Sequence, residues 1–265
     1  MSEVSVSDAS APLAAGPLTG PPGAPVLVLG NSLGTSAEVW DRQVPALRDS
    51  FRLLRYELPG HGGTSASPGP YTIAQLGRRV LALLDEREVD HAAYWGISLG
   101  GMIGMWLAEH SPERISSLGL VCTSAYLPPA EGWLTRAAQV RSAGLAAISG
   151  GVVARWFTPA YAASEPAVIE QFRAGLERTG AEGYAGCCEA IAAMDLRPDL
   201  AAIVAPTLVI AGEEDPATPL EHGALIAEHV PGARLEIIPG AAHLAAVSAA
   251  PHVTPLLLRH AQSAV

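Results

Sequence analysis

Gly96-Ile97-Ser98-Leu99-Gly100 places one serine between two glycines, directly after the strand-like run Ala92-Ala93-Tyr94-Trp95 and before a helix-like run from Met102 to His110. Glycines two positions either side let the backbone turn from strand to helix too tightly for larger neighbours, which lifts the serine hydroxyl clear of the sheet. Such a hydroxyl becomes a nucleophile only when a base removes its proton and an acid orients that base. Downstream, the run Thr207-Leu208-Val209-Ile210 leads into Ala211-Gly212-Glu213-Glu214-Asp215-Pro216, so Asp215 stands in a loop at a strand's carboxyl end. The next strand-like run, Leu235 to Ile238, leads into Pro239-Gly240-Ala241-Ala242-His243.

The chain order serine, acid, histidine therefore gives Ser98 as nucleophile, Asp215 as orienting acid and His243 as base. Glu213 and Glu214 are neighbours that could replace Asp215. The G-x-x-D spacing and the following proline favour Asp215. Among eight histidines, only His243 follows the last predicted strand in a Gly/Ala loop. His91 precedes the nucleophile strand, and His61, His110, His222, His229, His252 and His260 are expected at the surface or as local caps. Acyl transfer also needs two N–H donors for the oxyanion. The backbone amide of Leu99 is one. Leu33, or its neighbour Ser32, in the turn Gly30-Asn31-Ser32-Leu33-Gly34 is the other expected donor.

Those residues need a scaffold that brings distant loops together. Nearly continuous apolar runs, Val26 to Leu29, Arg52 to Tyr56, Ala92 to Trp95, Leu118 to Val121, Thr207 to Ile210 and Leu235 to Ile238, alternate with helical patterns. This predicts an α/β protein with a mostly parallel central sheet covered by helices on both faces. Helices are expected from Val39 to Leu47 and, amphipathic, from Ile73 to about Glu86. The Pro- and Gly-rich stretch 10–25 reads as loop. Residues 126–196 break the alternation as several helices, with breaks at Gly150-Gly151, Thr158-Pro159 and Thr179-Gly180. They are expected to form a helical cap, inserted into a core of residues 1–125 and 197–265.

Composition narrows the chemistry. The net charge of −10 and the lack of any cationic cluster argue against nucleic acid and anionic membrane surfaces. All sixteen cationic residues are arginine, which removes phosphate-loop and Schiff-base lysine chemistry. Three cysteines without CxxC spacing argue against a disulfide framework and a structural zinc site, and no metal site is predicted. The acidic start Met1-Ser2-Glu3-Val4 lacks an arginine-plus-apolar leader, and no apolar run reaches membrane-spanning length. A cytoplasmic enzyme acting on a small molecule is the expectation.

From Pro25 onward the chain resembles the 3-oxoadipate enol-lactonases of the α/β-hydrolase superfamily. Ser98, Asp215 and His243 carry the superfamily likeness. The narrower likeness rests on Asn31-Ser32-Leu33-Gly34-Thr35 with Val39-Trp40-Asp41, Arg155-Trp156-Phe157-Thr158-Pro159, Gly183-Tyr184-Ala185-Gly186-Cys187-Cys188 and Asp195-Leu196-Arg197. The resemblance implies cofactor-free hydrolysis of 3-oxoadipate enol-lactone, in the β-ketoadipate route of aromatic catabolism. Other capped hydrolases (esterases, carbon–carbon bond hydrolases, perhydrolases) or a non-turnover binding protein on the same fold would use the same shell.

A lactone bearing a free carboxylate needs a cation and apolar surface from the cap. Trp133 and Arg136 lie one helical turn apart. Arg136 is the first expected carboxylate contact, followed by Arg141 and Arg155. Trp133 and Trp156 are expected as cap core or pocket wall. One departure from the family pattern is Glu57-Leu58-Pro59, where Asp, Thr and Arg are usual. Loss of that arginine predicts a looser loop beside the nucleophile turn.

Overall fold

The computed structural model describes residues 12–262. The readings of Met1-Ser2-Glu3-Val4 and of positions 10 and 11 lie outside these. Six strands, β1 Val26–Gly30, β2 Arg52–Arg55, β3 Ala92–Ile97, β4 Ile115–Val121, β5 Thr207–Gly212 and β6 Arg234–Ile238, form one sheet in the order β2-β1-β3-β4-β5-β6. Every pairing within it is parallel. β1, β3 and β5 are buried at every position, which explains their unbroken apolar character. Because all strands run the same way, the loops after β1, β3, β5 and β6 emerge at one edge, and the order reverses between β1 and β3.

Eleven α-helices accompany the sheet among the described residues: α1 Val44–Leu47, α2 Ile73–Glu86, α3 Leu99–His110, α4 Ala130–Ala143, α5 Ser149–Trp156, α6 Pro159–Ser164, α7 Pro166–Glu177, α8 Ala181–Ala193, α9 Leu220–His229, α10 Ala245–Ser248 and α11 Ala250–Gln262. α2 starts where Thr72 Oγ1 accepts the Gln75 N–H and Gln75 Oε1 accepts the Thr72 N–H, a reciprocal cap. Its buried face carries Ile73, Leu76, Val80, Leu83 and Leu84 at helical spacing. α3 is buried from Leu99 to Ala108, so it has no polar face to betray its period.

Three expectations need correction. The helix anticipated over Val39–Leu47 is a short 3-10 turn, Ala37–Trp40, followed by the separate one-turn α1. Trp40 is fully buried and its Nε1–H donates to the Gly30 carbonyl at 3.2 Å, which fixes the turn against β1. Gly150 and Gly151 do not break the chain but lie inside α5, whose Val152, Val153 and Trp156 bury one face. The break falls at Gly144, where φ is 73°. Within the stretch read as loop, Ala15 and Thr19 bridge antiparallel to Tyr56 and Leu53 beside β2. No helix among the described residues is long and apolar enough to cross a membrane.

Candidate active site

The glycines of the pentad are required by close approach. A Cβ on Gly100 would lie 2.5 Å from the carbonyl carbon and oxygen of Gly30, and one on Gly96 would lie 2.3 Å from the same groups of Gly100. With that room, β3 passes into α3 through Ser98 at φ 52° and ψ −115°, a conformation an L-residue holds only under constraint. The constraints are bonds from the Ser98 amide to the Val121 carbonyl (3.0 Å), from Thr123 Oγ1 to the Ser98 carbonyl (2.6 Å) and from the Gly100 amide to the Asn31 carbonyl (3.0 Å). As the first residue of α3, Leu99 has an amide with no intrahelical acceptor.

Asp215 and His243 meet beyond the ends of β5 and β6. His243 Nδ1 lies 2.9 Å from Asp215 Oδ2, and both residues are buried. Asp215 Oδ1 accepts the amides of Ala217 (2.8 Å) and Thr218 (3.1 Å), and Oδ2 also accepts the Thr218 hydroxyl at 2.7 Å. Burial alone would raise this carboxyl. The His243 charge and hydrogen bond, with the Thr218 hydroxyl and amide, outweigh it and hold the pKa below the usual aspartate value. Glu213 and Glu214 are exposed on the same loop, and Glu213 only accepts the Gly240 amide at 3.3 Å. Thr218 was not anticipated; a threonine three residues after an acid at a strand end is the sequence signal for it.

Ser98, Leu33, Ser32 and His243 open onto one cavity of about 240 Å³. Helices α4, α5 and α8 contribute Trp133, Arg136, Arg155, Trp156 and Tyr184 to its wall. Two arginines and no aspartate or glutamate line it among the described residues. The Arg136 guanidinium sits 4.5 Å over the Trp133 ring, whose Nε1–H donates to the Leu127 carbonyl at 3.0 Å. The half-buried Arg155 has an Nε with no hydrogen-bond partner among the described residues, and burial together with the charge of Arg136 lowers its pKa. Trp156 is buried, packs edge-on to Phe172, and its carbonyl accepts the Leu244 amide beside His243 at 2.9 Å.

Arg141 requires correction. Its guanidinium is bound by both oxygens of Glu189 and by Glu182, outside the cavity wall, so Arg155 takes the place beside Arg136. Five residues from Arg136 is about 140° around the helix, which turns Arg141 off the cavity face.

Two histidines expected at the surface or as caps are instead buried. His260 Nε2–H is shared between the carbonyls of Leu118 and Pro206, each 3.1 Å away. His61 stands between two loops, with Nδ1 2.9 Å from the Pro59 carbonyl and Nε2 3.0 Å from the Gly34 amide. Burial depresses its pKa to about 4. The Glu57-Leu58-Pro59 loop is also not slack: Glu57 accepts the Ala37 amide at 3.0 Å and Leu58 is fully buried.

A family model for the alpha/beta hydrolase fold matches residues 25–250. The chain is 40% identical to 3-oxoadipate enol-lactonase 2 of Acinetobacter baylyi over 91% of its own length and 88% of the relative's. Among solved structures, a hydrolase from Pseudomonas aeruginosa PA01 is 46% identical with a TM-score of 0.89, covering 92% of each chain. An enol-lactonase from Burkholderia xenovorans LB400 is 39% identical with a TM-score of 0.90, covering 92% of this chain and 94% of that one.

Proposed function

Since the chain belongs to the α/β hydrolase fold family and, within it, to the 3-oxoadipate enol-lactonases, we propose that it opens 3-oxoadipate enol-lactone to 3-oxoadipate through Ser98, His243 and Asp215. The observation that carries this reading is a cavity lined by Ser98, His243 and two arginines, with no acidic side chain in its lining among the described residues. Such a wall suits a small ester that bears a carboxylate.

In the proposed reaction the Ser98 Oγ attacks the lactone carbonyl while His243 Nε2 takes its proton. Asp215 holds Nδ1–H and stabilises the imidazolium. The amides of Leu33 and Leu99 receive the oxyanion. Collapse breaks the ring C–O bond and expels an enolate, a better leaving group than a simple alkoxide; His243 returns the proton, and the enol tautomerises to the ketone. Water, deprotonated by His243, then releases the acyl group and restores Ser98. Arg136, backed by Trp133 and neighboured by Arg155, holds the free carboxylate, with Trp156 as apolar wall. Residues 126–196 serve as the helical cap on a core drawn from the described residues of 1–125 and 197–265. The three free thiols, Cys122, Cys187 and Cys188, fit a reducing, cytoplasmic setting.

The test compares turnover of the enol-lactone, p-nitrophenyl acetate and a vinylogous diketone. The lactone should be preferred, and Ser98→Ala should cost several powers of ten in rate. Arg136→Gln should raise KM for the lactone about 10- to 100-fold, the worth of one charge-assisted bond, and leave the neutral ester within about two-fold. Preference for the diketone or the simple ester would overturn the substrate assignment. Saturable binding without turnover, unchanged in Ser98→Ala, would overturn the enzyme reading.

A further inference from the structure

The turn that supplies the Leu33 amide is closed by a bond from the Thr35 amide to the Ser32 carbonyl at 3.1 Å. In a four-residue turn the two central N–H groups take no part in that closure. Here those are the amides of Leu33 and Gly34. Gly34 has φ 83°, the left-handed value taken at the third position of a type II turn. The peptide plane between Leu33 and Gly34 is the one free to rotate in such a turn, and it shares the Leu33 Cα with the amide proposed to meet the oxyanion.

His61 seizes that plane. Its Nε2 must accept, because the Gly34 N–H at 3.0 Å can only donate, and its Nδ1 must donate, because the Pro59 carbonyl at 2.9 Å can only accept. Both bonds together admit only the neutral ring with its proton on Nδ1. The ring is fully buried and stacks on Tyr184 of α8, centroids 6.4 Å apart and planes 22° from parallel. The loop carrying His61 is tied to the same helix region, for the Gly60 carbonyl accepts the Gly180 amide at 2.7 Å. Tyr184 in turn lines the cavity beside Arg136.

We propose that His61 is a positioning residue for acyl transfer: by accepting the Gly34 N–H it locks the Leu33–Gly34 peptide so that the Leu33 amide stays aimed at the developing oxyanion. This rests on the serine-hydrolase reading above. It assigns His61 no contact with substrate.

The test exploits the two ring nitrogens separately. Glutamine can place an acceptor where Nε2 stands, whereas asparagine reaches only the Nδ1 position. Both lose the ring, so a packing role predicts equal damage. The expected result is that His61→Asn loses about 30- to 300-fold in kcat on p-nitrophenyl acetate with KM within about three-fold, somewhat less than outright removal of an oxyanion donor costs. His61→Gln should recover at least tenfold of that loss. Affinity for a trifluoromethyl ketone, which forms a tetrahedral adduct on Ser98, should fall in His61→Asn by the same factor as kcat, while affinity for 3-oxoadipate stays within about three-fold. Equal kcat in the two variants, or ketone and product affinities falling together, would overturn the proposal. Should His61→Asn fail to fold, His61→Phe, which keeps a stacked ring and offers no acceptor, must show the same split between kcat and KM; near-native kcat in it would overturn the proposal. A wild-type enzyme that neither turns over ester nor reacts with a fluorophosphonate at Ser98 would instead defeat the hydrolase reading itself.

Discussion

Asp215→Asn tests the charge arrangement at the end of β5. The wild-type side chain receives four donors: two amides on Oδ1, and the Thr218 hydroxyl and His243 Nδ1 on Oδ2. A carboxylate accepts all four; an amide side chain accepts on one atom only. Turning its NH₂ toward Oδ1 would oppose two fixed backbone N–H groups, so it should turn toward the Oδ2 position. There the Thr218 hydroxyl can rotate to accept. His243 can keep a bond only by presenting an unprotonated Nδ1, which moves its proton to Nε2 and leaves no lone pair there for the proposed proton transfer from Ser98. The wrong-tautomer cost in a serine triad is about 10⁴ in kcat, or about 5.5 kcal/mol of transition-state stabilisation. The fold should lose much less, about 1–3 kcal/mol for the altered buried bonds. Initial rates on the enol-lactone, followed by ultraviolet absorbance, and calorimetric Tm would be measured together. Glu213→Gln and Glu214→Gln, exposed on the same loop, should stay within about two-fold of wild type. A folded Asp215→Asn enzyme keeping a tenth of wild-type kcat would refute the argument.

Two further outcomes concern the scaffold. Gly100→Ala gains about 1 kcal/mol of helix propensity but drives a methyl to 2.5 Å from the Gly30 carbonyl, so it should lower Tm and kcat together; a raised Tm would contradict the close-approach account. Glu109 has both carboxyl oxygens buried without a hydrogen-bond partner among the described residues, and burial, reinforced by Asp199, pushes its pKa from 4.5 to about 8. The folded state therefore holds a proton that the unfolded chain releases, so stability falls as pH rises from about 4.5 to about 8. Glu109→Gln should raise Tm at pH 8 and change it little at pH 4.5, by differential scanning calorimetry; an equal shift at both pH values would rule out the ionisation.

The strands were legible because a parallel sheet covered on both faces writes itself as apolar runs, and α2 because its apolar residues recur at helical spacing. The loops reaching one sheet edge followed from strand direction, which placed Ser98, Asp215, His243 and Leu33 in the same region. What escaped was set by tertiary contact. Gly150 and Gly151 carry the local signature of a break, yet burial of Val152, Val153 and Trp156 keeps α5 helical. Trp40 cuts short the helix its neighbours favour by docking on Gly30. His61 looks like an ordinary loop histidine until Gly34, Pro59 and Tyr184, far apart in sequence, are seen around it. Arg141 was misplaced by nearness in sequence, although helical geometry alone turns it away from Arg136.

The bridge of residues 15–19 onto β2 has a bearing on self-association. Thr19 and Leu53 exchange both amide bonds, at 3.1 and 2.7 Å, and the Glu57 amide donates to the Ala14 carbonyl at 2.7 Å. The outer flank of β2 is thereby capped by its own polypeptide and offers few dangling amides for another molecule to zip onto. At the opposite flank, β6 alternates apolar positions with Arg234 and Glu236, whose like charges would be brought face to face in any in-register stack of copies. One margin of the sheet is shielded by covalent continuity and the other by charge, two unrelated defences against fibrous assembly.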